Sequence, residues 1–306
     1  MNRGPSLTTD ADDTIRVAGS SKNECGNSKQ KIMLDNYMNN EGLPPRTLFK
    51  YRYFDTAGYN LRSLDEMFFS APERFNDPYD TSIPVLYHSS GTNPNIILEY
   101  MRRTNPETNP RPLQDWEIIE SWKQFISKIP ADIKKAQDLD QVTADNNTRS
   151  TGAFSLAESE FSILMWSHYA LHHTGFCIAY RTNVLYEALR KYKEVIIVPI
   201  EYHAQCPIIN PYDPNLDLND WFSPFKVKHS DWAYEKEWRI ILLNGANQII
   251  PIPENAIEAV YLGMRIQKND EDMLIGKLRA RNIKVNLYEA KRQFNNFEIR
   301  FENVEY

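Results

Sequence analysis

The sequence predicts an α+β protein built as split antiparallel sheets with a helical insertion. Three observations carry that expectation. The second half holds short β-branched or aromatic runs, such as Glu194 to Tyr202 and Glu237 to Leu243. Helical apolar spacing is concentrated between about residues 94 and 150. No internal repeat and no regular strand–helix–strand alternation runs through the chain.

Residues 1–43 are rich in Ser, Thr, Asn, Asp and Gly. Such a segment buries too little apolar surface to offset its ordering entropy. It reads as a flexible N-terminal tail with a short helix near Lys31 to Met38. Residues 44–306 read as a single α+β domain. Thr47 to Arg52 is a strand, Leu61 to Glu66 a short helix and Met67 to Ser70 a second short strand. Phe75-Asn76-Asp77-Pro78-Tyr79-Asp80 is a turn, because Asn and Asp before Pro pin the backbone through their side chains. Lining a site is the alternative role for this turn. The insertion, about 94–150, holds helices at Ile96 to Arg103, Leu113 to Ile129 and Ala131 to Leu139 between Pro-containing breaks.

After the insertion, Ala153 to Ser155 is a strand and Glu158 to His172 a helix ended by Gly175. Phe176 to Tyr180 is a strand, Val184 to Tyr192 a helix, Glu194 to Tyr202 a strand and Pro207 to Pro224 a loop. Strands follow at Glu237 to Leu243, Gln248 to Ile252, Ala256 to Leu262, Lys284 to Tyr288 and Phe297 to Phe301, with one helix at Asn269 to Arg281.

Composition narrows the function classes. The chain has 306 residues and a net charge of −6, so its surface as a whole does not attract nucleic acid. Cys25, Cys177 and Cys206 are odd in number and scattered, which fits a reducing cytoplasm better than a disulfide framework. No apolar run is long enough to span a bilayer, and no basic-then-apolar leader opens the chain. A soluble bacterial-type cytoplasmic protein is expected. Glycine-rich phosphate-cradle motifs do not occur.

The densest chemistry lies in Trp232-Ala233-Tyr234-Glu235-Lys236-Glu237-Trp238-Arg239. Alternation along a strand puts Glu235 and Glu237 on one face, with Trp238 and Ile240 on the other. A half-buried Glu237 without a close salt partner would have a raised pKa, and could steady positive charge growing at an anomeric carbon. The plain alternative is a glutamate paired with Lys236, Arg239 or Lys228. Lys50 and Arg52 share one strand face, with Tyr51 on the other, and an arginine fork suits a diphosphate. His168 and His172 stand four apart and would share a helix face. The helical zinc motif needs a Glu directly after the first His, and Tyr169 stands there, so no metal is expected. Trp232 and Tyr234 could stack on a planar ring or belong to the core.

Several blocks in this order resemble the bacterial domain-of-unknown-function family 2971. They are Leu48-Phe49-Lys50-Tyr51-Arg52, Phe69-Ser70-Ala71-Pro72, Phe75-Asn76-Asp77-Pro78-Tyr79-Asp80 and Met165-Trp166-Ser167-His168-Tyr169-Ala170. Phe154-Ser155, His173-Thr174-Gly175-Phe176-Cys177-Ile178, the Trp232 to Arg239 run and Tyr261-Leu262-Gly263 complete the set. That resemblance implies an accessory bacterial protein of a toxin or phage-defence setting, and no activity.

A basic strand, a Ser-bearing strand and a Glu-x-Glu strand, in that order, are also similar to the Arg-Ser-Glu class of ADP-ribosyltransferases. The similarity implies NAD as a substrate, with no tightly bound cofactor. By position, Arg52 would contact the dinucleotide and Ser155 would steady the site. Glu237 would engage the nicotinamide ribose, and Glu235 would help place the acceptor, a protein or nucleic acid. Lys50, Tyr51, His168 and Trp232 would complete the cofactor-binding wall. The chain departs from that class in having Ala153-Phe154-Ser155 where Ser-x-Ser is usual, and in the insertion between Arg52 and Ser155. On this reading Glu237→Gln folds normally and loses turnover. Two alternatives compete. One is a non-enzymatic module that recognises a nucleotide or a defence-system partner. The other is a nuclease holding Mg²⁺ through Asp77, Asp80, Glu235 and Glu237.

Overall fold

A computed structural model describes residues 44–86, 114–128, 132–192, 195–213, 216 and 218–306. By its contacts the chain divides between Asn40 and Glu41, and the described residues all belong to the second unit, Glu41–Tyr306. The expected N-terminal tail and the Ile96 to Arg103 helix lie outside the described residues.

The second unit is α+β and is organised on one large mixed sheet. Among the described residues twelve strands form: β1 (Thr47–Arg52), β2 (Glu66–Phe68), β3 (Gly152–Ala157), β4 (Phe176–Arg181), β5 (Val195–Pro199), β6 (Glu201–His203), β7 (Val227–His229), β8 (Glu237–Leu242), β9 (Ile249–Pro251), β10 (Ile257–Leu262), β11 (Asn286–Arg292) and β12 (Ile299–Asn303). Eight of them make the main sheet, in the order β12-β11-β10-β4-β1-β3-β8-β5. All neighbours run antiparallel except β10 and β11, which are parallel. The helix Lys268–Arg279 makes the crossover between that parallel pair. Its Leu274 and Leu278 bury against the sheet.

The expected two separate antiparallel sheets are thus joined into one, because β1 pairs on both of its edges. The two joints are unequal. β1 and β4 are in register along their whole length, from Thr47↔Arg181 to Arg52↔Phe176. β1 and β3 share only Phe49↔Ala157. β3 in turn pairs with β8 from Gly152↔Leu242 to Ala157↔Glu237. Beyond Phe49 the two strands part, and Ser70 bridges Ala153 in the place β1 leaves. A seam therefore opens in the middle of the sheet.

Each face of the sheet has its own core. Leu48, Phe154, Leu156, Ile178, Tyr180, Trp238, Ile240 and Val260 lie on one face. Phe49, Tyr51, Ala157, Trp166, Cys177 and Ala179 lie on the other. The alternation in β1, β3, β4 and β8 produces this division, since neighbouring side chains point to opposite faces.

The insertion helices are Asp115–Ile126 and Ile133–Thr148. Asp132 caps the second, its Oδ1 accepting from the Lys134 amide at 2.9 Å.

Several boundaries differ from the sequence expectation; the Ala131 to Leu139 helix, for one, runs on to Thr148. The Glu158 to His172 helix shortens to Ile163–His168, because Ser162 caps its start and the chain turns sharply after Tyr169. Leu171, His172 and His173 all take left-handed backbone angles, with φ of 44°, 58° and 68°. His168 and His172 therefore do not share a helix face. The Glu194 to Tyr202 run divides at Ile200 into β5 and β6, which belong to different sheets. Part of the Pro207 to Pro224 loop is helix, Leu218–Lys226, with Pro224 inside it.

Candidate functional site

The seam is the floor of a cleft of about 760 Å³. Lys50, Tyr51, Arg52, Ser155, His168, Trp232, Glu235 and Glu237 all line it. Sequence positions more than a hundred residues apart are brought together here because β1 and β3 are adjacent across the seam. The seam residues come from β1 and β3, with Phe68 and Ser70 beside them. The Phe75–Asp80 turn adds Phe75, Asn76 and Asp80, and β8 adds Glu237 and Arg239.

Glu235 and Glu237 reach the cleft by different local structures. Glu237 opens β8, whereas Glu235 ends a 3-10 turn, Ser230–Glu235. Lys236 joins them in the left-handed conformation, with φ of 43°. The expected continuous strand is thus broken between the two glutamates.

Arg239, 1% exposed, is the centre of a buried charge cluster. Its Nε donates to Glu237 Oε1 at 2.9 Å and its Nη2 to Glu237 Oε2 at 3.0 Å. Nη1 and Nη2 donate to the two Asp80 carboxylate oxygens, each at 3.0 Å. Nη1 also donates to the Phe225 carbonyl at 3.0 Å. Lys228 Nζ donates to Glu235 Oε2 at 2.7 Å and to Glu237 Oε2 at 3.3 Å, and stands 3.7 Å from Asp80 Oδ2. The same ammonium lies 4.8 Å from the centre of the Trp232 ring. The Tyr169 hydroxyl donates to Glu235 Oε1.

Three carboxylates thus face two cations, and the surplus negative charge falls on Glu235. Burial raises the Glu235 carboxyl; Lys228 opposes that, the Glu237 charge adds to it, and the net shift is upward. Burial would raise Glu237 too, but Arg239 and then Lys228 outweigh it and hold the carboxyl at about 2. A Ser155 hydrogen bond supports the same anion. Of the two sequence expectations for Glu237, the pairing with Arg239 and Lys228 is the one seen, and the raised pKa without a close salt partner is not. Glu237 is a locked anion with close salt partners, and Glu235 is the member that takes up a proton first.

The other expected residues divide in their duties. Arg52 Nε donates to Ser63 Oγ at 3.0 Å, with no other side-chain hydrogen bond to Arg52 among the described residues. Gly175 positions this end of β1: a Cβ there would stand 2.1 Å from the Arg52 carbonyl oxygen. Lys50 Nζ donates across the seam to the Ser155 carbonyl and lies 4.4 Å from the centre of the Phe154 ring. Burial, and next the Arg52 charge, lower its pKa well below the usual lysine range. The expected cation is thus one whose charged form its surroundings disfavour.

Tyr51 donates to the Ser159 carbonyl at 2.6 Å and meets Trp166 edge to face at 5.2 Å. It borders the cleft but serves the core. His168 sits at the rim, its Nδ1 2.8 Å from the Tyr234 hydroxyl. His172 lines a different groove, with His173 and Arg265.

Asp80, Lys228, Arg239 and Tyr169 are the residues that sequence reasoning left without a firm role. No spacing pattern links Asp80 to Arg239. The signal that could have found them is the excess of buried-type neighbours around charged positions in Phe75–Asp80 and Trp232–Arg239. The Phe75–Asp80 turn does both jobs weighed for it. Asp77 Oδ1 accepts from the Tyr79 amide at 2.9 Å, and Asn76 and Asp80 face the cleft. The Mg²⁺ arrangement through Asp77, Asp80, Glu235 and Glu237 meets Lys228 and Arg239 among its carboxylates. Among the described residues no group of three or more His, Cys, Asp or Glu is placed to hold a metal ion. No helix of the described residues is long and apolar enough to cross a membrane.

No curated protein and no solved structure matches this chain. Residues 165–240, the stretch that carries Tyr169, Lys228, both glutamates and Arg239, match the family described as Protein of unknown function (DUF2971).

Proposed function

We propose that the cleft binds NAD and breaks its nicotinamide–ribose bond, as an ADP-ribosyltransferase-like enzyme or an NAD hydrolase. The acceptor is water, a protein or a nucleic acid, and the setting is a bacterial toxin or phage-defence effector. One observation carries this reading: a seam in the sheet gathers Arg52, Ser155 and a glutamate pair on a single cleft.

The charge layout supports it. Arg52 and Arg74 give one part of the cleft a cationic character suited to a diphosphate. The Asp80–Glu235–Glu237 cluster, with one carboxylate more than its cations, suits the cationic nicotinamide ring and the oxocarbenium ion that follows. Phe68, Phe75 and Trp232 supply planar walls. As the C–N bond breaks, its electron pair goes to the ring nitrogen and nicotinamide leaves neutral. The ribose carbon is then captured by the acceptor. Glu237, held by Arg239 and Ser155, contributes a fixed negative field. Glu235, with the raised pKa, accepts the proton that the attacking acceptor loses.

The test is nicotinamide release from ring-labelled NAD, with binding followed by calorimetry. Wild-type protein should release nicotinamide, and folded Glu235→Gln should release it at least a hundredfold more slowly, about the contribution of a general base. No binding and no release by wild type would end the proposal. A second reading is favoured by the saturation of Glu237 by Arg239 and Lys228. It is a recognition module for which NAD binds and nicotinamide is never released.

A further inference from the structure

Lys50 is the one cleft lysine whose chemistry the charge cluster does not use. Lys228 touches three carboxylates. The Lys50 amine, among the described residues, has no carboxylate partner. It donates to the main-chain oxygen of Ser155 and stands over the Phe154 ring. It lines the cleft while its own surroundings are buried. Desolvation, with Arg52 beside it, disfavours its charged form against the weaker pull of Glu237 and Glu235. An unprotonated amine held in a cleft is a nucleophile for carbonyl carbon.

We propose that Lys50 is a carbonyl-capture site, forming an imine with the aldehyde of a phosphorylated sugar bound in the seam. Arg52 lies two residues along β1 on the same face, about 7 Å away by strand rise. That spacing lets a phosphate rest on the Arg52 guanidinium while the aldehyde end of a five-carbon sugar reaches Nζ. The amine lone pair adds to the aldehyde carbon. The carbonyl oxygen then departs as water with the two amine hydrogens, leaving a C=N bond. The Ser155 carbonyl, which already accepts from Nζ, orients the amine for the addition. The proposal concerns Lys50 alone and does not require NAD cleavage.

The experiment uses the full chain, ribose 5-phosphate as the probe, and borohydride to convert the imine into a stable secondary amine. Peptide mass mapping then reads the labelling rate at each lysine. Lys268, fully at the surface and ion-paired with Glu271 and Asp272, is the internal reference. Each unit by which an amine's pKa falls toward the working pH raises its reactive fraction about tenfold, so Lys50 should label at least about tenfold faster than Lys268. Ribose without the phosphate should label Lys50 much more slowly, and Lys50→Arg should lose only the Lys50 adduct. Labelling of Lys50 no faster than Lys268 would overturn the proposal. Equal labelling by ribose and ribose 5-phosphate would overturn the role given to Arg52. Nicotinamide release is read in a separate assay, so failure of one proposal does not imply failure of the other.

Discussion

Replacing Glu237 by Gln should destabilise the protein, in a pH-dependent way, by an amount that follows from its surroundings. The side chain is 4% exposed and accepts two hydrogen bonds from Arg239, from Nε and Nη2. Its carboxyl moves from an ordinary value of 4.5 to about 2 in the folded protein. At 1.36 kcal/mol per unit, that depression contributes about 3 kcal/mol at neutral pH. Breaking a buried pair by removing one partner costs about 3–5 kcal/mol, which agrees. The sign follows from the depressed pKa. The contribution is complete above 4.5, and it is lost as pH falls through the folded value near 2. Urea unfolding of wild type and Glu237→Gln should therefore differ by about 3 kcal/mol at neutral pH, and the gap should shrink by about 1.4 kcal/mol per pH unit below 4.5. A gap that is absent, or that stays constant on acidification, would refute the locked-anion description. The same reasoning replaces the sequence-based expectation that Glu237→Gln folds normally.

Glu235 should behave in the opposite sense. Its pKa is raised, so its penalty is absent below the unfolded value and complete above the folded one. Glu235→Gln should remove a fall in stability as pH rises above 4.5, which urea midpoints across that range would register. Gly175→Ala should cost about 1–3 kcal/mol by overpacking, because the new Cβ would lie 2.1 Å from the Arg52 carbonyl oxygen. Calorimetry should show weaker NAD binding in the same variant, since the end of β1 must move.

Much of the fold is legible from alternation and β-branching. β1, β4, β8 and β10 stand within a residue or two of where those patterns put them. Their side-chain alternation also sorts Leu48 from Phe49 and Ile178 from Ala179 between the two cores. What is not legible is which strands pair and where pairing stops. Nothing local in Lys50-Tyr51-Arg52 announces that β3 turns away after one registered residue. The candidate cleft was partly legible for the same reason. Each residue type was suggestive in its own segment, but the Asp80–Arg239 pairing crosses 159 positions. The sequence left two states open for Glu237, raised pKa or salt-paired, because local sequence names possible partners without saying which are close. Proline also misled: Pro224 sits within a helix that its flanking composition argued against.

The single rung joining β1 to β3 divides the mechanical behaviour of the molecule. Each half-sheet is stiffened by long ladders, while the direct pairing of β1 with β3 is one registered pair, Phe49 with Ala157, backed by the reach of Lys50 and by the core shared beneath both halves. A small molecule lodged there would act as a splint. It would add a bridge between two ladders whose direct pairing is short, midway between the outer edges β12 and β5.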